Sequence, residues 1–263
     1  MQMLNYMKSE WYRITHTSTM YVFTGILAGM TLSFNLILRL FVKYEPGFRY
    51  GTVAFSLSNL TSNMFLMFVV GMIVVSLLFA GEKKSGVLKN AIAFGISREK
   101  VFIGKCVVSA VVSVCSLIAI LLVYIVSAVL LLEPGVESDA IAITLKGAAA
   151  VLIMAVASEV LTIALLTYLD KEMIGYIWWY LIMVILPLGC RLIGLKIELF
   201  QKIAAWMPYN YLKNMNDETI INMSGWSYVW ETPEGMMKCL ISGMVALIVF
   251  LVLGLKICKK QEV

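Results

Sequence analysis

Residues 82–105 read E-K-K-S-G-V-L-K-N-A-I-A-F-G-I-S-R-E-K-V-F-I-G-K and stand between two long apolar runs. Such a density of Lys, Arg and Glu cannot lie in hydrocarbon, so the stretch is a solvent-side connector between two membrane crossings. It also carries the marks of a helix. Ser85-Gly86 can cap a start, Leu88, Ala91 and Ile92 form an i, i+3, i+4 apolar stripe, and Gly95 supplies a left-handed stop. A second start follows at once, with Ser97 placed as an N-cap and an almost unbroken apolar run from Val101, interrupted at Lys105. The segment 82–100 therefore reads as a short helix lying on one membrane face.

Working outward, the composition fixes the class. Apolar residues make up 61% of the 263, charged residues only 14%, and the mean hydropathy is +0.89. These values describe an integral membrane protein. The net charge of +5 comes from basic residues beside apolar runs, which fits orientation in a membrane and contact with lipid rather than binding of nucleic acid. One His and five scattered Cys leave almost no material for a metal site, and no phosphate-binding loop or hydrolase motif is present. His16 reads as a chance surface position.

Apolar runs of spanning length predict an all-α protein with six transmembrane helices, at about 20–38, 63–81, 101–132, 147–169, 173–190 and 239–255. Residues 1–19, with Leu4, Met7, Trp11 and Ile14 at helical spacing, predict an interfacial helix. The first span contains Gly25-Ile-Leu-Ala-Gly29, which serves close helix packing within the subunit or between two copies equally well. Residues 39–62 read as a connector with a turn at Pro46-Gly47, and Pro187 predicts a kink in the fifth span. The 191–236 segment reads as an outer-face helical region. In it Leu195, Leu199, Ile203 and Trp206 recur at helical spacing, and the run closes on Trp206-Met207-Pro208-Tyr209. Trp206, Pro208 and Tyr209 are the candidate residues of that face.

Glu159 is the mid-membrane charge of the fourth span and a candidate functional residue, because a carboxylate at the bilayer centre costs about 2–3 kcal/mol unless it meets polar partners. The structural reading stands beside it with equal weight: a Glu held by Ser158, Thr162 or another helix. An intramembrane enzyme working through Glu159 would need a second acid, base or metal ligand, and the sequence supplies no obvious one.

The connector resembles the cytoplasmic coupling segment of ABC-2 type exporter permeases. Glu82, Gly86, Lys89, Gly95, Ser97 and Arg98 fall in the order E-x-x-x-G-x-x-K-x-x-x-x-x-G-x-S-R, with Leu88 on the apolar stripe and Lys100 and Lys105 following. Within that family the size and the lack of a fused ATPase are similar to the small permeases of bacitracin and lantibiotic self-protection exporters. The resemblance implies a single transmembrane domain over 1–263 in a bacterial cell membrane and a second permease chain, identical or paralogous. It also implies a separate cytoplasmic ATPase dimer docking on the 86–94 helix. This chain would bind no cofactor; ATP and Mg would belong to the partner. The transported substrate would be lipid-like or an amphipathic, antimicrobial peptide held between the two permeases. A membrane sensor subunit that binds peptide without transporting it is the other reading.

Six spans with an inner amino terminus put Lys8, Arg13, the six basic residues of 83–105, Lys171 and the Lys256, Lys259, Lys260 tail on the inner side, more than half of the 21 Lys and Arg and on short segments. Both termini and the connector are then cytoplasmic. Cysteine substitutions in 133–140 and 208–232 are expected to react with an impermeant thiol reagent added to sealed cells, and those in 83–100 to stay unlabelled; labelling of 83–100 would reverse the orientation.

Overall fold

A computed structural model describes residues 2–45, 48–79, 95–134, 139–169, 171–212 and 228–260. The described residues are helical throughout and form no sheet; one isolated bridge joins Thr52 and Glu133. An amphipathic α1 (Gln2–Thr15) leads into α2 (Ser18–Tyr44), and a bent pair follows, α3 (Val53–Ser62) and α4 (Leu66–Phe79). Then come α5 (Arg98–Leu131), α6 (Ala140–Tyr168) and a helix built in three pieces: α7 (Glu172–Tyr180), a π-helical turn (Leu181–Ile185) and α8 (Leu186–Gly194). Short helices α9 (Glu198–Ala205) and α10 (Pro208–Leu212), a 3₁₀ turn (Val229–Glu231) and α11 (Pro233–Lys260) complete the chain.

Five helices, α2, α5, α6, the α7–α8 unit and α11, are each long and apolar enough to cross a membrane; α3 with α4 supplies a sixth crossing if the pair is one broken span. Here the structure departs from the sequence reading, which gave 39–62 to a connector. Helix α4 alone is 14 residues, about 21 Å, short of the ~30 Å of hydrocarbon. Helix α3 adds the missing length across a 66° bend. Periodicity could not reveal α3 because Ser56, Ser58, Asn59, Thr61 and Ser62 give it the look of a loop. At the bend, i to i+3 bonds from the amides of Asn63, Leu66, Met67 and Phe68 keep the backbone satisfied, as irregular backbone inside a membrane protein must be. Before Pro187 the expected kink takes the form of the π turn, with the Leu186 amide bonded to the Leu181 carbonyl. That widening accommodates a ring that clashes with the carbonyl four residues earlier and has no N–H to give it.

Helix α6 is the centre of the bundle. Its buried positions include Gly147, Ala148, Ala150, Ala155, Ala157, Ser158 and Ala164, small residues that let α4 and α11 approach closely. One apolar cluster gathers Phe68, Val151, Trp179 and Trp230 around it; a second, nearer the other end, gathers Val74, Val75, Phe102 and Ile163. By contrast α2 packs chiefly along α5 and leaves Val22, Ile26, Met30 and Ile37 exposed. A Cβ at Gly25 or Gly29 would meet nothing within 4 Å, so this pair does not serve packing within the chain.

What fixes α2 is polar. Asn35 is fully buried; its amide donates to Ser127 Oγ at 2.7 Å and to the Tyr124 carbonyl at 3.2 Å on α5, and its carbonyl accepts from Ser56 Oγ at 2.6 Å on α3. Tyr124 in turn donates to the Ser56 carbonyl. Thr61 on α3 and Thr144 on α6 share a bond of 2.9 Å.

The connectors meet in two groups. At one end, the Val53 amide bonds the Glu133 carbonyl and the Glu133 amide bonds that of Gly51, while Tyr228 shares a bond with Ser62 and the Trp230 indole donates to the Ile143 carbonyl. At the opposite end lie α1, the end of α4, the start of α5 and the end of α11, where Lys259 pairs with Glu99 at 3.3 Å. Asn35→Ala should lower the stability of the purified protein by about 1–2 kcal/mol, since interhelical hydrogen bonds are worth up to about that much; unfolding in a denaturing detergent measures it, and an unchanged midpoint would remove the network from the forces holding α2.

Candidate functional site

Glu159 lies in α6 and is 1% exposed. The two residues offered by sequence as its partners are committed elsewhere: Ser158 donates to the Phe68 carbonyl and accepts from the Trp179 indole at 2.9 Å, and Thr162 donates to the Ser158 carbonyl. Ser109 and Ser113, one turn apart on α5, are the side chains that face the carboxyl. Among the described residues Glu159 Oε2 has no hydrogen-bond partner, and neither has Ser113 Oγ. Opposite stands Gly71 of α4, where a Cβ would come within 3.0 Å of Glu159 Cγ and 3.2 Å of Oε1. The glycine is what makes room for the carboxyl between α4 and α6.

The carboxyl borders a cavity of about 260 Å³. Helix α2 contributes Leu27, Met30 and Thr31; the bent pair Leu60, Asn63, Leu66, Met67, Val70 and Gly71; α5 Ser113 to Tyr124; and α6 Leu152, Ala155, Val156 and Glu159. Two of these residues, Met30 and Leu66, are 63% and 54% exposed, so the wall reaches the apolar outer surface between α2 and α4. The bend between α3 and α4 is therefore part of the site, since it sets Leu60, Asn63 and Leu66 along the same side.

The coupling residues divide. Glu82, Gly86, Leu88 and Lys89 lie outside the described residues. Gly95 has φ 80, the left-handed conformation expected of it. Ser97 stands at the N-cap of α5, extended and without a side-chain cap bond, and its carbonyl accepts from the Val101 amide. Arg98 opens the helix half-buried and Lys100 is exposed. Lys105 is buried, its ammonium 4.9 Å from the centre of the Phe79 ring. Its side chain packs against the end of α4.

Arg13 approaches the same Phe79 at 6.0 Å, donates to the Leu78 carbonyl at 3.1 Å and pairs with Glu10, itself 4% exposed. Helix α1 thus buries Tyr6, Glu10 and Ile14 against the bundle and leaves Leu4 and Trp11 exposed. The sequence stripe of Leu4, Met7, Trp11 and Ile14 missed this face because its middle member is a Glu. The signal was the Glu10–Arg13 spacing, which allows an i, i+3 pair.

In the outer-face candidates, Leu199, Ile203 and Trp206 of the α9 stripe are 64%, 42% and 49% exposed and turn away from the bundle. Pro208 starts α10, and Tyr209 meets Phe65 edge to face at 5.2 Å. Asn210, unnoticed in the sequence, is fully buried and staples the region by donating to the carbonyls of Pro187 and Ala204.

A family model described as "ABC-2 family transporter protein" matches residues 6–194, from α1 to the end of α8. No curated protein and no solved structure matches the chain.

Gly71→Val should cost about 1–3 kcal/mol by overpacking against Glu159. Adding Glu159→Ala should recover part of the loss, giving a coupling of about 0.5–3 kcal/mol between contacting residues. Thermal unfolding of the four proteins measures it, and strictly additive effects would separate the two side chains.

Proposed function

Because the chain belongs to the ABC-2 family of transporter membrane proteins, matched over residues 6–194, we propose that it is the permease half of an exporter that moves a lipid-like or amphipathic substrate. It is a multi-pass membrane subunit. Energy then comes from a separate ATPase dimer, which holds the ATP and Mg, and a two-fold ATPase calls for two permease chains, identical or paralogous. The outward-facing Gly25 and Gly29 leave α2 a small-residue surface for such a pairing.

The observation that carries the substrate class is the cavity beside Glu159. It is walled mainly by Leu, Met, Val, Ile and Ala, and it reaches the lipid-facing surface at Met30 and Leu66. A sugar or a fully hydrated ion would lose most of its water there against few polar groups, whereas an amphiphile enters from the bilayer with its apolar part already desolvated. Peptides of the bacitracin and lantibiotic kind belong to this class.

The end of the bundle that holds α1, Gly95 and the α11 tail faces the cytoplasm in this reading, since the basic residues concentrate there. Closure of the ATPases pushes on 82–100, and the force enters the bundle through Leu78-Phe79 on one side and Arg98 on the other. Phe79 is gripped by Arg13 and Lys105, so α1, α4 and α5 receive it together. Two discrete arrangements of these helices would alternate the access of the cavity.

Two sets of variants test the reading. Gly95→Val forces a β-branched residue into φ 80, a strain of about 1–2 kcal/mol. With Arg98→Ala it should leave membrane insertion intact while lowering ATPase co-purification or substrate-stimulated ATP hydrolysis; full association and full transport in both would make 82–100 an ordinary solvated loop. Glu159→Gln keeps size and loses charge, and should preserve assembly while reducing transport. Wild-type transport would leave Glu159 a structural contact.

A further inference from the structure

The polar groups around the cavity are not equivalent. Thr31 donates to the Ala28 carbonyl, Asn63 to that of Asn59 and Tyr124 to that of Ser56. Among the described residues that line the cavity, Glu159 Oε2 and Ser113 Oγ are the polar atoms that stand buried without partners. No Lys, Arg or His among the described residues forms an ion pair with Glu159. Lys105 lies on α5 eight residues before Ser113, about 12 Å along the axis, with its ammonium over the Phe79 ring.

The cavity is also elongated, with its charge at one end. From Ser113 to Tyr124 the α5 wall rises 11 residues, about 16 Å, and along that rise the lining is Val114, Leu117, Ile120 and Leu121. We propose that this cavity binds an amphiphile bearing a single protonated amine, the ammonium between Glu159 and Ser113 and the apolar body along α5 toward Tyr124. The proposal rests on the exporter reading for its purpose and narrows the substrate from amphiphiles in general to cationic ones.

The physics is that of a carboxyl in a low-dielectric site whose Oε2 meets no hydrogen-bond donor among the described residues. It gains most from a counter-charge brought by the ligand, and an ammonium supplies N–H donors to Oε2 and to Ser113 Oγ at once. A hydroxyl head donates one hydrogen bond but brings no counter-charge, and an anionic head is repelled. Selectivity therefore resides in Glu159, while affinity comes from the apolar wall. Gly71 keeps the head position open, because any side chain there meets the carboxyl.

The test uses the full chain in nanodiscs of zwitterionic lipid and three chain-matched photoreactive probes, each a dodecyl chain with a tail diazirine and an ammonium, hydroxyl or sulfate head. Labelled residues are mapped by mass spectrometry. The ammonium probe should label 114–124 at least tenfold more than the alcohol, and the sulfate least of all. Glu159→Gln should bring ammonium and alcohol within twofold of each other, and Gly71→Leu should reduce labelling there by every probe. Equal labelling of the wild-type protein by ammonium and alcohol overturns the proposal without recourse to any variant, as does a charge preference that survives Glu159→Gln. No ATPase is needed for this readout. ATP-driven export of amphiphiles without charge-selective labelling defeats the amine site alone, and charge-selective labelling in a chain that supports no ATP-driven export defeats the exporter reading alone.

Discussion

The bundle is built on α6, and α4 and α11 are placed by how closely they can approach it. Hydrocarbon offers no hydrophobic drive for two apolar helices to associate, so contact area and a few buried polar bonds must do it. The small residues of α6 supply the first and Ser158 and Thr144 the second. Helix α11 runs along one side of α6 and α4 along another, each close enough for a glycine to matter: Gly243 against Met154 and Gly71 against Glu159. Larger residues along 147–157 would push both away and close or split the cavity.

A consequence is that the site is assembled late in the hierarchy. Four elements wall the cavity, and one of them, α2, is held to the rest mainly through Asn35 and its partners. The carboxyl and hydroxyl at the charged end come from α5 and α6, whereas the opening at Met30 and Leu66 belongs to α2 and α4. The side that recognises charge and the side that admits a ligand are thus on different helix pairs, free to change independently.

The sequence displayed much of this and concealed the rest for identifiable reasons. Long apolar runs announced six crossings, of which five are single helical units and one is half of a bent pair, and Gly95 announced its conformation through its position after an apolar stripe. Helix α3 was hidden because Ser56 and Thr61, polar on paper, are turned inward to Asn35, Tyr124 and Thr144. Glu159 was visible as an anomaly, but its surroundings were not: sequence neighbours suggested Ser158 and Thr162, and only the packing of three helices shows that the facing groups are Ser109, Ser113 and Gly71. Lys105 and Glu10 were hidden for the same reason. A charge beside an apolar run looks solvated until a third helix covers it.

Helix α5 has 34 residues, about 51 Å end to end against ~30 Å of hydrocarbon. A rod longer than its medium is thick is a lever. Helix α1 grips it near Gly104, where Tyr6 packs, and the Asn35 cluster grips it at Tyr124 and Ser127. Between those two grips runs the stretch that lines the cavity. A tilt of about 5° about its midpoint displaces each end by about 2 Å in opposite directions, and the swept volume falls on neither end alone but on both, with the arms set by where the membrane happens to hold the rod. Bilayer thickness then enters the mechanics directly, so a thicker membrane would shorten the free arm and stiffen the response of this chain to the same push.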